Sequence, residues 1–105
     1  MVNKIMAAVG IPFRRSRFPK PPAGTYAVYL DDVATDGPDG QVRILTHSIT
    51  LELYTPQPND AAEAAVEDAI TAAGLQWRKE DRYWLQTEQL YQTVYEFEYI
   101  EKRRI

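Results

Sequence analysis

His47 is the chain's only histidine, and Ser48 stands beside it. A hydroxyl nucleophile needs its base within hydrogen-bond reach. Adjacent residues of a strand point to opposite faces, so this pair has poor geometry for nucleophile and base. Asp31 and Asp32, followed by Asp36 and Asp39, are the nearest approach to a cation loop. They lack calcium-loop spacing and its closing bidentate Glu, and Asp commonly serves turns, so the run reads as a solvated turn. A small hydrolase built on Asp31, Asp32 or His47 would also need an apolar cleft around them. Glu96 and Glu98 share one face of a strand and could divide acid–base work if a cleft separated their pKa values. Beside Gln92 they read as a solvent face or an inter-subunit contact.

Positive charge is concentrated in two places. Arg14-Arg15-Ser16-Arg17-Phe18-Pro19-Lys20 holds four cations in seven residues, and Lys102-Arg103-Arg104 lies near the C-terminus. Such an arm can contact phosphates, or it can dock on an acidic neighbour. The net charge of −3 favours docking. A nucleic-acid-binding module using residues 14–20 with the C-terminal cations is the rival. The interface candidates are therefore Arg14, Arg15, Arg17, Phe18, Lys20, Glu96, Glu98, Lys102, Arg103 and Arg104. There is no cysteine, which excludes disulfides, thiolate catalysis and cysteine metal sites. Glycine-rich phosphate loops, zinc spacing and a nucleophile elbow are also missing. The residues predict no catalysis, no cofactor and no metal.

These residues need elements to position them. The 105 residues, 45% hydrophobic and 26% charged, fit one domain. Residues 1–24 read as a short N-terminal helix and a proline-rich basic arm, and residues 25–105 as an α+β core. Val2 to Val9 forms about two helical turns, stopped by Gly10 and Pro12. It reads as an amphipathic helix or a docking arm, and no run approaches the length of a membrane span. Pro12, Pro19, Pro21 and Pro22 keep the arm extended.

Thr25 to Asp31 reads as a strand, and a loop follows over Asp32 to Gly40, with a turn signal at Asp36-Gly37-Pro38-Asp39-Gly40. Gln41 to Thr55 reads as a second, long strand. Its apolar positions change parity, from Val42 and Ile44 to Ile49, Leu51 and Leu53, which predicts a bulge near His47-Ser48. Asn59 or Asp60 caps a helix whose stripe is Ala61, Ala62, Ala65, Val66, Ala69, Ile70 and Ala73. Glu63 stands at capping-box spacing from Asp60. Asp60, Glu63, Glu67 and Asp68 give the outward side an acidic cast, and Gly74 fits a left-handed cap. Leu75 to Gln86 is polar on both faces at its middle and reads as an edge strand or a twisted arm. Leu90 to Ile100 places Tyr91, Thr93, Tyr95, Phe97 and Tyr99 on one face. That aromatic face needs a cover, and the alanine-rich helix is the expected one. The fold class is α+β: two layers, a mainly antiparallel sheet of about four strands, one main helix on one face, order α-β-β-α-β-β.

Taken in order, several stretches resemble one family. Gly10-Ile11-Pro12, Phe18-Pro19-Lys20-Pro21-Pro22 and Thr25-Tyr26-Ala27-Val28-Tyr29-Leu30 resemble its N-terminal half. Ile49-Thr50-Leu51-Glu52-Leu53-Tyr54-Thr55 resembles its central strand ending. Tyr83, then Glu88-Gln89-Leu90-Tyr91-Gln92-Thr93-Val94-Tyr95-Glu96-Phe97, resembles its C-terminal strand. The family is the tail-completion proteins of long-tailed bacteriophages, which include tail terminators and tail-to-head joining proteins. The N-terminal helix and the basic arm depart from the pattern. The resemblance implies a structural virion subunit, in the tail or neck, assembled in the host cytoplasm. It implies a homo-oligomeric ring, commonly a hexamer, that caps the tail tube protein and docks to the head connector. DNA would pass through the lumen without specific binding, and no membrane is involved.

Overall fold

The computed structural model describes residues 1–36 and 42–104. The chain runs α1 (Val2–Val9), β1 (Phe13–Arg15), β2 (Tyr26–Asp36), β3 (Val42–Thr55), α2 (Asp60–Ala72), β4 (Trp77–Leu85) and β5 (Leu90–Arg104). The strands form one sheet in the order β1-β2-β3-β5-β4. Every pairing is antiparallel except β1 on β2, which is parallel. The α+β reading holds, and five strands replace about four. The added strand, β1, lies inside the expected arm. Its bonds to β2 are continued on either side by Ala27 N–H to Pro12 O (3.0 Å) and Ser16 N–H to Tyr29 O (2.8 Å).

Residues directly opposed across a ladder share a face. In β3 the helix face is continuous: Leu45, His47, Ile49, Leu51, Leu53 and Thr55 are all buried. The expected bulge at His47-Ser48 is therefore wrong. Pairing of β3 with β5 runs unbroken from Val42–Arg104 to Thr55–Tyr91. Leu45 and His47, not Val42 and Ile44, carry the phase of the later leucines. The irregularity sits in β4 instead, between Glu80 and Tyr83. There the helix side passes from Trp77 and Lys79 to Arg82 and Trp84. β4 is an edge strand, as its polar middle required. β2 continues to Asp36, through much of the expected loop. The rest of that loop, Gly37 to Gly40 with Asp39, and Gln41 at the expected start of the second strand, lie outside the described residues.

Both helices cover the same face. Val2, Ile5 and Met6 of α1 join Val66 and Ile70 of α2 over Ala27, Ile49, Leu51, Leu53, Tyr95 and Phe97. The N-terminal helix is thus part of the core. Tyr95 and Phe97 sit under the helices as expected, and Tyr99 packs against the cluster's margin. Tyr91 does not join them; its ring meets Trp84 at 4.8 Å. Asn59, not Asp60, caps α2, its Oδ1 accepting from Ala62 N–H at 3.0 Å. Gly74 at φ 81° takes the left-handed turn after α2. The Leu75 N–H then reaches back to Ile70 O at 3.3 Å, a Schellman closure. Among the described residues, no helix is long and apolar enough to cross a membrane.

Candidate assembly surfaces

The basic arm lies along the β1 edge. Arg14, Arg15, Arg17 and Lys20 are exposed. Arg15 opposes Tyr29 and so lies on the helix face, whereas Arg14 opposes Val28 on the other face. Ser16, at φ 71°, turns the chain out of β1. Phe18 then packs edge-on to Tyr26 with ring centroids 5.5 Å apart, and Tyr26 stacks on Tyr54 at 5.0 Å. The Arg14 guanidinium lies 5.8 Å above the Phe18 ring. Phe18 therefore anchors the arm against the face away from the helices and leaves its cations in solvent.

The acids of α2 do not form the outward acidic face expected from spacing. Glu63 is buried, and its carboxylate lies 2.8 Å from Lys79 Nζ and 2.6 Å from Arg82 Nε. Lys79 also reaches Glu67 at 2.8 Å, and Arg82 reaches Asp60. Burial works against the Glu63 charge, but hydrogen bonds from Lys79 and Arg82 outweigh it and hold the carboxyl below its ordinary value. The shift of phase in β4 makes this network possible, because it turns Arg82 as well as Lys79 toward the helix. Glu63, Glu67 and Asp60 are thus drawn toward β4 by two cations, and Asp68 stays exposed.

The other face of the sheet keeps its acids available. An open groove of about 750 Å³ near the β4 edge is lined by Asp32, Ser48, Thr50, Arg78, Glu96 and Glu98, among others. Arg78 bonds Glu96 at 2.7 Å, and Ser48 Oγ donates to Glu98 at 3.1 Å. Glu96 and Glu98, expected as interface candidates, thus stand on one polar surface, three strands away from the basic edge. Lys102, Arg103 and Arg104 form the end of β5 rather than a tail. Arg103 opposes Arg43, and its Nη2 donates to Glu101 at 3.0 Å.

The Asp31–His47–Glu101 cluster is the arrangement that sequence reasoning missed. Asp31 Oδ1 and Oδ2 lie 2.9 and 3.0 Å from His47 Nδ1, and Glu101 Oε1 lies 2.7 Å from Nε2. Tyr99 stacks on the imidazole at 4.4 Å and 5°. An acid on Nδ1 is half of a hydrolytic triad. The other half fails here, because Nε2 faces a carboxylate and Ser48 lies on the opposite face. Asp32 and Asp36 also lie on that opposite face, away from Asp31, so these three described aspartates do not converge. Among the described residues, no group of three or more acids, histidines or cysteines could hold a metal ion. The signal that could have found the cluster is parity: His47 shares the helix face with Ile49 and Leu51.

No protein-family model matches the chain. No curated protein matches it either. Among solved structures, the fold is similar to a chain of the virion of a native gene transfer agent particle. The two share 19% identity over 90% of this chain and 81% of that one, with a TM-score of 0.59. At that identity the likeness concerns the fold.

Proposed function

We propose that this chain is a non-catalytic structural subunit of a phage-like virion, which closes into a ring that completes the tail tube and joins it to the head connector. The observation that carries this reading is the fold likeness to a virion chain over nearly the full length of both. The residue patterns of tail-completion proteins point the same way, and a hexamer is the common ring of that family. The geometry of the subunit suits ring closure. Its sheet has two different open edges, β1 and β4. The cations of Arg14, Arg15, Arg17 and Lys20 lie at the first. The groove carboxylates Glu96 and Glu98, on β5 beside β4, lie toward the second. A contact that joins unlike patches is heterologous and gives a ring when its rotation closes. In this reading the arm of one subunit meets the Glu96–Glu98 surface of the next. Lys102, Arg103 and Arg104 at the end of β5 would face the tube or connector, and DNA would pass through the lumen without specific contacts.

Mass measurement in solution, alone and with tail tubes, tests the reading. The expected result is a closed ring, either free or on the tube ends. A chain that stays monomeric and leaves tube ends uncapped overturns it.

A further inference from the structure

The distal part of the helix face carries a device independent of the assembly reading. Ile49 and Phe97 lie in the core cluster under the helices. His47 and Tyr99 occupy the next row, and Leu45 and Glu101 the row after it. His47 is only 8% exposed. Both of its ring nitrogens face carboxylate oxygens, at 2.9 and 3.0 Å from Asp31 and 2.7 Å from Glu101. A neutral imidazole carries one N–H and one lone pair, whereas an imidazolium carries two N–H donors. In the neutral form, one of these short contacts would set a lone pair against an anion. Only the cation satisfies both at once. The three residues come from three strands, β2, β3 and β5, so the cation ties their distal ends together.

We propose that protonated His47, clamped between Asp31 and Glu101, locks the distal ends of β2, β3 and β5 together, and that loss of its proton releases this end of the sheet while the helix-covered part stays folded. The titratable and charged groups on the same face of the sheet come from each neighbouring strand. β1 contributes Arg15; β2 contributes Tyr29 and Asp31; β5 contributes Tyr99, Glu101 and Arg103; β3 itself adds Arg43. Burial of the ring is the largest single influence and opposes the charge. The bonds to Glu101 and Asp31 together exceed it and raise the imidazole above its ordinary 6.5. Arg103 holds the far side of Glu101 at 3.0 Å. Bonds from His47 and Arg103 keep that carboxyl below its ordinary 4.5. The raised imidazole stabilises fully below pH 6.5 and loses that contribution as pH rises through its folded value. The lowered Glu101 stabilises above pH 4.5 and loses its contribution as pH falls through its folded value. The lock is therefore complete between about pH 4.5 and 6.5.

The chain's only histidine gives a single imidazole signal to follow by NMR. The expected titration midpoint of His47 lies above 6.5 in the intact protein and falls in Glu101→Gln. Amide exchange at Ala34, Leu45 and Glu101, which lie in the β2–β3 and β3–β5 ladders, corrected for intrinsic rates, should rise about tenfold for each unit that the folded value exceeds the unfolded one. Leu51 and Tyr95 should show no such rise. In His47→Gln the distal amides should exchange without this pH step. A midpoint at or below 6.5 in the intact protein overturns the proposal, and so does distal exchange that ignores the titration. Both of those readouts use the unaltered chain, so they decide the matter even if a variant fails to fold.

Discussion

The Tyr95 hydroxyl donates to Glu67 Oε2 at 2.7 Å, joining the centre of β5 to α2. The ring is wholly buried, edge-on to Trp77 at 5.9 Å, with Lys79 Nζ 5.8 Å above it. Tyr95 is thus both a packing element and a polar tie. Tyr95→Ala should cost about 3–5 kcal/mol, as for other buried aromatic truncations. Tyr95→Phe keeps the packing and removes one hydrogen bond to a charged group, so about 1–3 kcal/mol is expected. Denaturant melts measure both. A loss below about 1 kcal/mol for the alanine variant would show that the face is not covered as described.

Glu63 makes a second tie between α2 and β4, and here the sign with pH can be worked out. Its folded pKa is lowered, so its contribution is complete above its ordinary 4.5 and is lost as pH falls through the folded value. Glu63→Gln should therefore destabilise at neutral pH by about 1.5–3 kcal/mol, in the range for hydrogen bonds to charged groups. The difference from the parent should shrink on acidification below pH 4.5. Melts at neutral pH and well below pH 4.5 test this; an equal loss at both would mean that the carboxylate charge contributes nothing.

Parity made much of this fold legible, and parity also produced its main error. Tyr95 and Phe97 alternate cleanly with Glu96 and Glu98, and the structure buries the first pair and leaves the second accessible. In β3, Val42 and Ile44 have the wrong parity for the core, and a polar His47 holds the right one. An apolar count alone therefore invents a bulge there. In β4 the residues around the real irregularity are Glu80, Asp81 and Arg82, which carry no apolar phase to read. β1 was hidden because three residues beside prolines give no strand period. The Asp31–His47–Glu101 cluster was hidden because its members are 16 and 54 residues apart, and only the register of three strands brings them together.

The arm provides a test that leaves folding aside. Arg14, Arg15 and Arg17 are exposed, and the anchoring contact of the segment is Phe18 on Tyr26. Replacing the three arginines with serine should change stability by less than about 0.5 kcal/mol each. Ring formation and tail assembly should be impaired. Assembly of normal tails from the triple variant would remove the arm from the interface. A gel shift with duplex DNA separates the nucleic-acid rival: binding that weakens steeply with salt in the parent, and is lost in the variant, would favour it.

If the arm of one subunit meets the Glu96–Glu98 surface of the next, opposite charge changes should compensate. Glu96→Lys with Glu98→Lys places two cations on the groove and frees Arg78 from its 2.7 Å partner. Glu96 and Glu98 belong to the face away from the core, so the subunit should stay folded while like charges oppose the incoming arm. Arg14→Glu with Arg15→Glu should block assembly equally well for the opposite reason. Mixing the two variants tests the geometry, because a heterologous contact uses one patch from each partner. In the mixture the unaltered arm of one variant meets the unaltered groove of the other, and the reversed arm meets the reversed groove, so alternating rings of even number should form where neither variant assembles alone. Both changes in one chain should restore the full ring. Sedimentation of the four species reads the outcome. If the combined chain assembles no better than either parent variant, the arm and the groove do not meet.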